Sequence, residues 1–196
     1  HIESSMTVPS IFARMAVAKG TVAVVSDPHE IANVMGEKGI DYMLEDSKKA
    51  PLKVFFGVPS CVPATPFESS GAVLDAEAVS WLLAREDLYY LSEMMNFPGV
   101  INGDPKMLAE IAATQNAGKT VGGHYASPDL GLPFHAYAAG GPADDHEGTR
   151  AEDAIARVRQ GMRAMLRLGS AWYDVATQVK AITESGLDSR NFILCT

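Results

Sequence analysis

The stretch Thr21-Val22-Ala23-Val24-Val25-Ser26-Asp27-Pro28-His29-Glu30 decides how the rest of the chain is read. A near-continuous apolar run is cut off by Ser-Asp-Pro, and charged side chains follow at once. Such runs are expected of strands in a parallel sheet, which is covered on both faces. The pattern recurs. Leu52-Lys53-Val54-Phe55-Phe56 ends on Gly57-Val58-Pro59-Ser60, Leu88-Tyr89-Tyr90-Leu91 leads to Glu93 and Asn96, and Thr120-Val121-Gly122-Gly123 leads to His124. Gly140 to Asp145 is a weaker run leading to His146, and Phe192 to Cys195 is the sixth.

Helical spacing fills the gaps. Ser10 to Lys19 carries Ile11, Phe12, Met15 and Ala18, with Gly20 as a C-terminal stop. Asp75 to Arg85 gathers Ala78, Val79, Leu82 and Leu83, and Asp75 can cap it. Pro105 to Ala117 groups Met107, Leu108, Ile111 and Ala112 behind an Asp104 cap, with Pro105 in the first turn. Ala151 to Leu168 reads as one helix through Ile155, Val158, Met162, Met165 and Leu166, opened by a capping box of Thr149 and Glu152. Trp172 to Glu184 reads as the last helix, stopped by Gly186. Strand and helix in alternation indicate parallel βα units. No unit carries a phosphate-binding glycine fingerprint, which favours a (β/α)8 barrel over an open sheet. Residues 1–196 form a single α/β domain in this reading, shorter than the roughly 250 residues of a complete barrel.

The 196 residues carry 24 acidic and 16 basic side chains, a formal net charge of −8. An acidic balance argues against a nucleic-acid backbone or an anionic membrane as partner, since both need a basic patch. No run approaches the ~18 apolar residues of a transmembrane helix. Cys61 and Cys195 are too few for a disulfide framework and suit a reducing compartment, so a cytoplasmic location is expected. The chain opens on His1 and closes on the apolar run Phe192-Ile193-Leu194-Cys195-Thr196. Both ends read as cuts, leaving the barrel incomplete at its first and last strands.

In such a barrel the chemistry gathers at the C-terminal ends of the strands. That rule selects His1, Asp27 to Glu30, Ser60-Cys61, Glu93, His124 and Asp145-His146-Glu147, and leaves out His135. Histidines and carboxylates contributed by several strands suggest a divalent metal, since imidazole and carboxylate together suit zinc, iron and manganese. One histidine after a strand is commonly a loop or capping residue, and Asp145-His146-Glu147 can also be read as a polar helix start. The metal reading rests on recurrence at strand ends.

Several of these segments resemble adenine deaminases of the amidohydrolase superfamily. They are His1-Ile2-Glu3-Ser4-Ser5-Met6, Asp27-Pro28-His29-Glu30-Ile31-Ala32-Asn33-Val34, and Pro59-Ser60-Cys61-Val62-Pro63-Ala64-Thr65-Pro66-Phe67-Glu68. Glu93-Met94-Met95-Asn96-Phe97-Pro98-Gly99-Val100 with Asn102-Gly103-Asp104-Pro105, and Asp145-His146-Glu147 with Ala151-Glu152-Asp153-Ala154, continue the resemblance in family order along nearly the whole chain. The resemblance implies a TIM-like metal-dependent hydrolase barrel and a binuclear site of manganese, iron or zinc. His1 matches the second histidine of the family's first-strand His-x-His pair, Glu93 the strand-four carboxylate that bridges two metals, His124 the strand-five histidine and His146 the strand-six histidine. The first histidine of the pair is expected before His1, and the strand-eight aspartate just after Thr196. Tyr125-Ala126-Ser127-Pro128 departs from the small-residue, glycine-containing turn of the commoner family form.

The implied reaction is hydrolysis of adenine to hypoxanthine and ammonia: activated water attacks C6, an acid protonates N1, and the amine leaves. Glu147 and His29 are the candidate catalytic residues, Glu30 and Ser60 candidate substrate contacts, and all four are candidates for recognising the exocyclic amine. The partner is a small molecule, and a homo-oligomer is expected. Two alternatives stay open: another cyclic amidine or amide hydrolase of the superfamily, or a fragment without turnover.

Overall fold

The apolar run of the opening stretch becomes a strand over Ala23–Ser26 (β1), which carries the chain straight into Asp27. A computed structural model describes residues 1–196. The chain divides into two units, residues 1–93 with 112–119, and residues 94–111 with 120–196.

In the first unit a helix over Pro9–Ala16 (α1) opens with proline in its first turn, where the missing N–H is no loss. After β1 come helices His29–Met35 (α2) and Glu37–Ser47 (α3), strand Lys53–Phe56 (β2), helix Ala76–Leu83 (α4) and strand Tyr90–Met94 (β3). β1 and β2 run parallel, in register from Ala23 opposite Lys53 to Ser26 opposite Phe56. Val58, just beyond β2, bridges Leu91 of β3 in parallel. The strand order is therefore sequential. Phe56, Val58, Val79, Leu82, Leu88 and Leu91 are fully buried, each removed from water at a gain of roughly 1.5–3 kcal/mol. Lys119 donates to the carbonyls of Leu83, Arg85 and Leu88 at 2.6, 2.6 and 2.5 Å, closing the open carbonyl at the end of α4 and tying it to the segment that follows.

The second unit contains helices Phe97–Asn102 (α5), Pro105–Asn116 (α6, its first seven residues) and Leu132–Ala139 (α7). Strands Thr120–Gly123 (β4), Asp144–Asp145 (β5), Arg163–Arg167 (β6) and Phe192–Cys195 (β7) are accompanied by helices Ala151–Arg159 (α8), Val175–Gln178 (α9) and Lys180–Thr183 (α10). The Ala143 N–H donates to the Val121 carbonyl at 2.9 Å, joining β4 to the start of β5. β5, β6 and β7 pair in parallel, again in chain order. Ala154, Ala164, Leu166 and Ala181 form a buried cluster under Ile155, Val158, Val175, Val179 and Phe192.

Two helical expectations need correction. The helix expected over Ala151 to Leu168 ends at Arg159, and residues 163–167 are strand β6. Gly161, at φ +82°, stops the helix in a conformation most side chains avoid. The residues beyond it are good helix formers, but pairing on both sides with β5 and β7 overrides propensity. The helix expected over Trp172 to Glu184 is two short ones, α9 and α10. The cap of α8 also differs. Asp153, not Glu152, accepts the Thr149 and Arg150 N–H groups, at 3.0 and 2.9 Å. Asp75 and Asp104 cap as expected, accepting from Ala78 and from Lys106 and Met107. No helix is long and apolar enough to cross a membrane.

Candidate functional site

Strand ends place the chemistry in both units. In the first, Asp27 follows β1, His29 opens α2, and Glu93 lies near the end of β3. His1, Asp27, His29 and Glu93 each bring one ligand-type atom within 4.8 Å of all the others. His1 Nε2 and His29 Nδ1 lie 3.1 and 3.2 Å from the same oxygen, Glu93 Oε1. His29 Nδ1 is also 3.2 Å from Asp27 Oδ2, and His1 Nδ1 is 3.1 Å from Glu30 Oε2. The two imidazoles meet edge to face at 4.6 Å.

The electrostatics of this group ask for positive charge. Burial works against a charged His1, but the carboxylates of Glu30, Glu93 and Asp27 outweigh it and hold its pKa up at about 11. His29 is raised to about 10 in the same way, with burial opposed by Asp27 and Glu93. Burial pushes Asp27 upward. Glu30 is brought down to about 2 despite its burial, through its bonds to His1 and Ser4.

A divalent cation fits this donor set. Two ligands of one ion at bond lengths of about 2.1 Å lie roughly 3–3.5 Å apart, a range that includes the 3.1–3.2 Å separations at Glu93 Oε1. Asp27 Oδ1 is buried without a hydrogen-bond partner, an acceptor left for something else to fill. Mixed imidazole and carboxylate donors suit zinc, iron and manganese.

The second unit holds another group. His124 follows β4, and His146 and Glu147 follow β5. The rings of His124 and His146 are 5.2 Å apart. Glu147 Oε1 lies 3.4 Å from His146 Nε2 and 3.9 Å from His124 Nδ1. Gly123 has no side chain for a reason, since a Cβ there would run into the Asp144 carbonyl and force β4 off β5. Arg167, at the end of β6, donates to Glu147 Oε1 at 2.7 Å and lies 4.0 Å over the Trp172 ring. A cleft of about 200 Å³ opens here, lined by Ser127, Glu147, Arg150, Arg167 and Trp172 among others. A larger cleft of about 500 Å³ beside α1 contains none of the residues selected from the sequence.

The expected site residues thus fall into two sets, His1, His29, Glu30 and Glu93 in one unit and His124, His146 and Glu147 in the other. Ser60 is buried, and its hydroxyl donates to the Glu93 carbonyl at 2.7 Å, so it supports the backbone of a ligand-type residue. His135 is exposed on α7, outside both sets. Asp27 belongs to the selected strand-end segment, but sequence reasoning gave it no role. Arg167 is not among the residues selected from the sequence, because the helical spacing of Met162, Met165 and Leu166 assigns it to the tail of a helix; Gly161 is the one local sign of a break before it.

The profile of the amidohydrolase family matches residues 1–184. The chain is 62% identical over 197 aligned positions to adenine deaminase 3 of Rhizobium meliloti (strain 1021), covering all of this chain and 33% of that protein. It is 60% identical to adenine deaminases of Ruegeria pomeroyi and of Methanosarcina barkeri, again over the whole chain and over 33% and 35% of those proteins. The chain spans about one third of the length of the curated relatives it matches.

Proposed function

The chain belongs to the amidohydrolase family, and from that premise we propose that it supplies cation-binding and proton-transfer residues for the hydrolytic deamination of adenine to hypoxanthine and ammonia. The observation that carries this reading is about 60% identity, along the whole chain, to proteins named adenine deaminases. The sequential parallel strands of each unit support the (β/α)8 barrel over a doubly wound sheet, whose strand order reverses at a switch point.

His1, Asp27, His29 and Glu93 would hold one divalent cation, and His124 and His146 a second, with manganese, iron or zinc as candidates. A bound cation supplies Lewis acidity and lowers the pKa of water toward neutrality. Glu147 is the proton carrier in this reading: it takes a proton from water and returns it at the purine ring or the leaving amine. Arg167 holds the Glu147 carboxylate in place by its 2.7 Å hydrogen bond. Ser60 acts on position, not on substrate, because its hydroxyl hydrogen is already used on Glu93.

The test is ammonia and hypoxanthine release from adenine by the intact protein, loaded with manganese and then stripped by a chelator. Turnover that disappears on stripping and returns on reloading is expected. A loaded, folded protein that leaves adenine intact while opening hydantoins or related rings would replace this reading with another cyclic amide or amidine hydrolase.

A further inference from the structure

The second unit contains a buried ion pair that neither candidate group includes. Arg157 of α8 and Asp145 of β5 are each about 1% exposed, and Arg157 Nε donates to Asp145 Oδ1 at 2.7 Å. Taking both charges out of water is expensive, and replacing such a pair by apolar side chains is often neutral or stabilising, so stability alone is a poor reason for it. What the pair holds is more informative. Asp145 Oδ1 also accepts the Glu147 N–H at 2.8 Å, and Oδ2 accepts the Tyr125 N–H. Arg157 Nη2 donates to the Tyr125 carbonyl at 3.2 Å, and Nη1 to the Asp153 carbonyl at 3.1 Å. The residue after His124 is thereby gripped on both its N–H and its C=O, and the residue after His146 is gripped on its N–H by the same carboxylate.

We propose that Arg157 and Asp145 are positioning residues that lock the ends of β4 and β5 together, so that His124 and His146 present their imidazoles to one divalent cation. The fork of the guanidinium is what the arrangement needs: one face reaches Asp145 and the other the Tyr125 carbonyl, which a lysine cannot do at once. The ring of hydrogen bonds is closed, from the Tyr125 N–H to Asp145, from Arg157 to Asp145, and from Arg157 back to the Tyr125 carbonyl. Closed, buried networks of this kind hold their members rigidly. His124 is held from its other side as well, since its N–H donates to the Tyr137 hydroxyl at 2.7 Å. The proposal rests on the reading of His124 and His146 as ligands.

The test is Co²⁺ titration of the intact, metal-stripped protein, read by the visible absorption of bound cobalt and by calorimetry, with metal-free melting measured alongside. Asp145→Asn and Arg157→Lys are each expected to weaken Co²⁺ binding roughly 10–100-fold, the usual effect of losing an outer partner of a metal ligand, and to alter the cobalt spectrum. His146→Asn serves as the control for the ligand reading. A melting point lowered in both variants with cobalt affinity and spectrum unchanged would reduce the pair to a structural role and overturn the proposal. If His146→Asn also leaves cobalt binding intact, the ligand reading falls and takes the proposal with it; if only His146→Asn weakens binding, the positioning proposal fails alone. Should Asp145→Asn not fold, Arg157→Lys, which keeps both charges, decides the question.

Discussion

At the scale of single residues, the two groups make opposite demands. Around Glu93, two imidazoles crowd against carboxylates that raise their pKa values, so the group as it stands gathers negative charge about two donor rings. Replacing Glu93 by glutamine turns the carboxylate both imidazoles approach into a neutral amide, and cation affinity measured by calorimetry should fall by more than the roughly 10–100-fold typical of outer partners. Glu147 is different, because it is a proton carrier in our reading. Glu147→Gln should lower kcat for adenine by roughly 10²–10⁴ with little change in KM. Ser60→Ala offers a contrast. It removes the hydroxyl that donates to the buried Glu93 carbonyl, so urea unfolding should report a loss of about 0.5–1.5 kcal/mol while KM for adenine stays unchanged. A raised KM would return Ser60 to the substrate.

At the scale of elements, caps and closures set the boundaries. Asp153 opens α8, and its carboxyl is held below its ordinary value of 3.8: burial raises it, but Arg150 and the backbone N–H groups of Thr149 and Arg150 prevail. A depressed carboxylate contributes stability above its unfolded pKa and loses it as pH falls through the folded one. Asp153→Ala should therefore cost about 1–2 kcal/mol at pH 7, a difference that shrinks below pH ~4 in denaturant melts. Most element starts were legible from local signals of this kind. Asp75, Asp104 and Pro105 act within one turn of their own position, so the chain near them suffices. Residues 163–167 were not legible, because Met162, Met165 and Leu166 satisfy a helical period and their strand identity comes from β5 and β7. Asp145 was visible as a polar residue at a strand end, but its partner Arg157 lies twelve positions on, and no spacing rule links them.

At the scale of the molecule, a cation that binds the folded state but not the unfolded one adds to stability by mass action. Dialysis of the intact protein against a chelator should lower its melting temperature, and excess Mn²⁺ or Zn²⁺ should restore it. An unchanged melt would count against a resident metal. The sequence by itself determined the alternation of strands and helices, the family, and the places where histidines and carboxylates leave the strands, because each is written in local composition and order. The tertiary structure alone decided that Asp27 joins His1, His29 and Glu93, that residues 163–167 pair as a strand, and that Arg157 and Asp145 tie the residues following His124 and His146. Those outcomes depend on burial and on contacts between distant positions, where a buried charge or a close backbone approach is settled by what surrounds it and not by its neighbours in the chain.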